Sequence, residues 1–178
     1  MKRFLLTVVL LIAALYGLGF VLPDKVHVER TIVIDAPREA VFAEISDFKR
    51  WEAWSPWAEQ DPAMITTVTG EGLGQEMVWI SDVMGNGSQT ITDMDAPNSM
   101  ASSLEFGQMG RATALLTLEP VGAGTRVTWA FDTASRDGVP TAMQPLATYM
   151  GYGMDGMLGG DYERGLVKLK QVVESADR

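Results

Sequence analysis

One histidine, no cysteine and a scatter of carboxylates make a thin set of groups for catalysis. His27 stands alone near the N-terminus, a few residues past a long apolar run and far from any pocket the rest of the chain would build. Zinc needs more His, Cys or clustered carboxylate ligands than are present. Thiol chemistry is excluded outright. Asp93 and Asp95 have the spacing of a carboxylate pair, and such a pair does acid–base work when one member is held protonated. They sit just before the Pro97 turn, where solvated turn residues are the simpler account. Asp132, Glu105, Tyr149 and Tyr152 are the other candidates for moving a proton. In "RVTWAFD", Val127, Trp129 and Phe131 share one strand face, which sends Arg126 and Asp132 to the other. Leu104 and Phe106 exclude Glu105 in the same way. A tyrosine in an apolar site is more often a packing residue with a satisfied hydroxyl. No catalytic residue, metal ligand or cofactor site is assigned.

Apolar side chains in regular patterns remain, and these need elements to position them. "VHVERTIVI" (26–34) alternates as a half-buried strand. Asp35 is placed to cap the helix that follows, with Pro37 in its first turn. That helix, over 37–47, buries Val41, Phe42 and Ile45, and a second short helix covers 49–54. From 65 to 133 six strand-like runs are cut by turns at 70–74, 85–87, 97–98, 107–110 and 122–124. Short turns between consecutive strands predict an antiparallel meander. A loop near 135–142 leads to a final helix over 143–175, in which Leu158, Tyr162, Leu166, Leu169 and Val173 recur at helical spacing. This long helix is the element of the right size to cover the apolar sheet face. A bent sheet around a helix leaves a space between them, where ligands bind.

The N-terminus carries a different signal. After Met1-Lys2-Arg3, residues 4–22 have no charge and reach about 28 Å as a helix at ~1.5 Å per residue, close to the thickness of a bilayer core. The reading is a membrane segment over 1–23 followed by one domain over 24–178. An uncleaved anchor and a cleaved signal ending near Gly17-Leu18-Gly19 both stay open. Lys2 and Arg3 place the domain outside the cytoplasm, and cleavage would secrete it. A net charge of −9 over 178 residues, with no basic face, argues against nucleic acid as a partner. Oligomeric state is not legible.

The element order, together with "DAPREAVFAEISDFKRWEAWSPW", "GTRVTWAFD" and "DYERGLVKLKQVVE", resembles the polyketide cyclase/dehydrase and lipid-transport group of the START/Bet v 1-like (SRPBCC) superfamily. The resemblance runs from about Val26 to Val173. It implies an α+β helix-grip fold: a curved antiparallel sheet of about seven strands on a long C-terminal helix, with two short helices after strand 1. It also implies a hydrophobic cavity, whose occupants range from carried ligands to enzyme substrates.

The expected lining is Trp54, Trp57, Met77, Trp79, Met100, Phe106, Trp129, Phe131, Met150, Met154 and Met157. Trp51 and Trp54 share a helix face, while Pro56 ends that helix and throws Trp57 outward, as a core seal or a gate. In "YMGYGMDGMLGGDYERGLVKL" (149–169), Met143, Met150, Met154 and Met157 fall on one helical face beside Gly153, Gly156 and Gly160. Met77, Met94, Met100 and Met109 add to this on or beside strands. The stripe reads either as close packing against the sheet or as an adaptable pocket wall, the favoured expectation. The function expected is a membrane-tethered binder of a hydrophobic or lipid-like small molecule. A cyclase/dehydratase- or hydrolase-type enzyme and a protein-interaction module with a filled cavity are the alternatives.

Overall fold

A computed structural model describes residues 1–107 and 110–176; Met109 lies outside them. Helix α1 (Lys2–Val21) precedes β1 (Lys25–Ile34). Then come α2 (Arg38–Ile45), a 3-10 turn (Phe48–Ala53) and α3 (Trp57–Gln60). Strands β2 (Ile65–Thr69), β3 (Glu76–Ile80), β4 (Gly87–Asp95), β5 (Ser99–Glu105), β6 (Arg111–Val121) and β7 (Gly124–Ala134) follow, and α4 (Gln144–Tyr152) and α5 (Met154–Ala176) close the chain.

The seven strands form one antiparallel sheet in the order β1-β7-β6-β5-β4-β3-β2. The chain enters at one edge in β1, crosses to the far edge through the short helices, and meanders back to β7. Because side chains alternate along each strand, β1 turns Val26, Val28, Arg30, Ile32 and Ile34 to one face. Helix α5 packs chiefly along β1 and buries Tyr162, Leu166, Leu169 and Val173. It therefore grips one side of the sheet. The half formed by β2 to β5 is left with space above it.

Three expectations change. Asp35 does not cap α2: the helix starts at Arg38 after Pro37, and the Asp35 N–H donates to Glu174 Oε1 at 2.8 Å. Ala36-Pro37 puts Asp35 too far from the first turn. Instead of one C-terminal helix, α4 and α5 are separated at Gly153, where closely spaced glycines disfavour continuous helix. Trp57 turns inward, because Pro56 opens α3 and brings the ring back over the core.

The glycines of 149–169 divide by environment. A methyl group at Gly153 would make only ordinary contact with the Met150 carbonyl oxygen, and at Gly156 it would meet nothing within 4 Å. Close packing belongs to Gly151, Gly159 and Gly165. Arg30 lies across Gly159 and pairs with Asp155 at 2.8 Å and Glu163 at 2.7 Å, so α5 is clamped to β1 where it has no side chain. Hydrogen bonding to Arg30 lowers the Asp155 pKa.

Candidate functional site

Between α5 and the β2–β5 half of the sheet lies a cavity of about 790 Å³, inside the ~300–1,000 Å³ range of small-molecule sites. The sheet supplies Val68, Met77, Trp79, Gln89, Leu104 and Phe131, and Phe106 follows directly after β5. Trp51, Trp57 and Gln60 come from the short helical segments, and Leu158, Asp161 and Tyr162 from α5. Trp79 stands opposite Gly87 on β4, and a β-carbon there would collide with its ring. The missing side chain lets the indole lie over the neighbouring strand, edge-on to Phe106 at 5.9 Å.

The expected lining residues separate into four groups. Trp57, Met77, Trp79, Phe106 and Phe131 do line the cavity. Trp54, Met100 and Trp129 are buried in the core, outside the set of residues that line it. Met154 is half-buried against the core. Met150 and Met157 are 62% and 71% exposed, outside the cavity, so the methionine stripe is not its wall. Met157 faces outward because Tyr162, Leu166 and Leu169 take the inward face of α5, and Met150 because Pro145, Thr148 and Gly151 take that of α4.

Trp129 is the centre of an aromatic cluster, with Trp51, Trp54 and Trp57 at 5.5–5.8 Å and Tyr162 stacked at 3.9 Å. The Trp51 indole donates to the Ile45 carbonyl at 2.9 Å. The indole N–H groups of Trp54 and Trp129 have no hydrogen-bond partner among the described residues. This cluster ties the short helices, β7 and α5 together at one end of the cavity.

Buried polar side chains also line the cavity, among them Asp61, Gln89 and Tyr162, and the sequence reading named none of these as site residues. Gln89 is buried, and its amide donates to the Ser102 hydroxyl at 2.8 Å. Tyr162 is buried, and among the described residues its hydroxyl makes no hydrogen bond. Desolvation raises its pKa, so the phenol stays protonated and is available as a donor. The alternation of "GSQTITDMD" placed Gln89 on the same face as Ile91, and that was the available signal. At the rim, Gln60 donates to Asp161 at 2.7 Å and Lys168 pairs with Glu59, so α3 is fastened to α5.

The acid–base candidates lie elsewhere. Asp93 and Asp95 are exposed on β4. Glu105 pairs with Arg111 at 3.3 Å, and Arg126 with Glu119 at 3.2 Å. Tyr149 and Tyr152 donate to the Leu15 and Pro23 carbonyls beside α1, at 2.6 and 3.4 Å. His27 borders a separate small pocket of about 190 Å³, contrary to the expectation that it would be far from any pocket. There His27 Nδ1 lies 2.8 Å from Asp132, and Ser135 lines the same pocket. The three do not form a relay, since His27 Nε2 faces Glu29 at 3.7 Å and the Ser135 hydroxyl has no partner among the described residues. Among the described residues no three His, Asp or Glu side chains converge as metal ligands.

The sequence pattern of the polyketide cyclase / dehydrase and lipid transport family matches residues 25–174. No curated protein sequence matches the chain. Solved structures share the Bet v 1-like fold at low identity. A protein from Thermus thermophilus is 20% identical with a TM-score of 0.57, over 85% of this chain and 99% of that one. XoxI from Bacillus cereus is 15% identical with a TM-score of 0.58, over 86% and 99%. Ara h 8.0201 is 11% identical with a TM-score of 0.55, over 85% and 99%.

Proposed function

The chain belongs to the polyketide cyclase / dehydrase and lipid transport family, and from that premise we propose that it is a membrane-anchored binding protein for a hydrophobic, lipid-like small molecule. The observation that carries this reading is the 790 Å³ cavity whose largely apolar wall includes the buried polar residues Gln89 and Tyr162. Apolar burial gives about 0.8 kcal/mol per CH₂, so an acyl chain of roughly eight carbons contributes about 6 kcal/mol before the costs of association. Gln89 and Tyr162 orient a polar end, Tyr162 through its hydroxyl and Gln89 through the amide hydrogen-bonding capacity that its bond to Ser102 leaves over. This chemistry describes a fatty-acid-, alcohol- or polyketide-like molecule with one polar head and an apolar body.

In this reading α1 spans the membrane as an uncleaved anchor. It is apolar, almost wholly exposed, and opens with Lys2 and Arg3, which favour a cytoplasmic N-terminus and an extracytoplasmic domain. The test is mass spectrometry of organic extracts from the full chain purified in detergent. A compound of this class retained at near one per protein supports the proposal. Turnover of such a compound, with product released, would move the reading to the enzyme alternative.

A further inference from the structure

We infer that α4 is a second membrane contact, with its outward face seated in the headgroup zone of the bilayer that α1 spans. The inference rests on α1 being an uncleaved anchor, as proposed above, and adds a docked orientation of the domain.

The first observation is depth. The Tyr149 hydroxyl on α4 donates to the Leu15 carbonyl at 2.6 Å, and the Tyr16 hydroxyl on α1 donates to the Ala142 carbonyl at 2.8 Å. Gly19 is buried against Pro145, where an added β-carbon would come within 2.7 Å of the proline Cα. From Leu15 to the helix end at Val21 is about 9 Å at ~1.5 Å per residue. Helices that lie in the membrane interface sit about 5–10 Å deep. With α1 across the bilayer, α4 lies at that level.

The second observation is composition. Residues 138–154 contain no charged side chain, although 21% of the chain is charged and Asp137 and Asp155 flank the run. Helix α4 buries Pro145, Thr148 and Gly151, while Leu146 and Met150 on its opposite side are 52% and 62% exposed. In water these would be an apolar patch continuous with the exposed surface of α1. Tyr149 and Tyr152 give the patch the amphipathic rings that favour the headgroup level. Since the patch is neutral on a chain of net charge −9, the contact depends on apolar burial in zwitterionic lipid rather than charge attraction.

The third observation is stiffness. Arg136 donates to the Gly19 and Phe20 carbonyls at 3.4 and 2.7 Å, satisfying last-turn acceptors of α1 from within the domain, and pairs with Asp24 at 3.1 Å. The junction is therefore pinned, and a spanning α1 carries α4 with it.

The chain has no cysteine, so single cysteines at 10, 146, 150 and 167 can each carry a fluorophore in the full chain, reconstituted in phosphatidylcholine nanodiscs. Quenching is read from nitroxides placed shallow or deep on the lipid and from a water-soluble quencher. The inference expects at least twofold more shallow-lipid quenching at 146 and 150 than at 167, with deep quenching at 10. Deep quenching at 10 while 146 and 150 respond like 167 overturns the α4 contact and leaves the anchor standing. Labels at 146 and 150 shielded from both lipid and water would mean a protein covers the face, and would also overturn it. No lipid quenching at 10 refutes the anchor and with it this inference.

Discussion

Tyr162 of α5 stacks on Trp129 of β7 with ring centroids 3.9 Å apart and planes 14° from parallel. The ring belongs to the core while the hydroxyl has no hydrogen-bond partner among the described residues. Packing and recognition therefore meet in one side chain, and substitution separates them. Tyr162→Phe keeps the stack, so stability stays within about 1 kcal/mol, while affinity for a polar-headed ligand falls by roughly the 0.5–1.5 kcal/mol of one hydrogen bond. Tyr162→Ala loses about 3–5 kcal/mol of stability. Thermal melts and ligand titration of both variants check this. Equal affinity of Tyr162→Phe and wild type would remove the hydroxyl from the site.

The glycines of α5 give a test with two signs. At Gly165 a β-carbon would lie 3.0 Å from both Pro56 Cδ and Trp129 Cζ3, two rigid neighbours. Gly165→Ala is expected to destabilise by about 1–3 kcal/mol through overpacking. Gly156 faces open space, so Gly156→Ala is expected to stabilise by about 0.4–1 kcal/mol. Denaturant midpoints of the two variants decide it, and shifts of the same sign would show that α5 sits differently on the sheet.

His27 has its pKa raised above 6.5, first through its hydrogen bond with Asp132. A raised folded-state pKa means that the proton is bound more tightly in the native state. The contribution to stability is complete below about 6.5 and is lost as pH rises through the folded value. Both side chains are more than half exposed, so the effect on global stability is small. An NMR titration of the ring should show the elevated midpoint, and Asp132→Asn should bring it back toward 6.5. A native midpoint at or below 6.5 would show that the pair does not persist in solution.

Most of the scaffold was legible because its signals are local. Alternation in "RVTWAFD" identified Trp129 and Phe131 as inward, and the turns between strands predicted the meander that β2 to β7 follow. The rotation of the final helix was harder. Methionine and glycine at helical spacing specify a face but not its partner. Arg30 and Trp129 select the inward face from far away in sequence, against Gly159 and Gly165. That choice turned Met157 to the outside and brought Tyr162 into the cavity, while Met150 lies on the outer side of the separate helix α4. Gln89 was overlooked because a lone glutamine in a strand looks solvated until Ser102, diagonal to it on β5, is brought within hydrogen-bond reach.

The account turns on whether the cavity is occupied by an apolar molecule, and filling it is the direct test. Leu104 lines the wall from β5, and Leu104→Trp puts an indole into the space a ligand would take. The measurement is equilibrium binding of a fluorescent polyene fatty acid to wild type and to Leu104→Trp, each checked for a cooperative melt. The account predicts one site at micromolar affinity or better in wild type, and at least tenfold weaker binding in the filled variant. Equal binding by both proteins, or none by either, would contradict it.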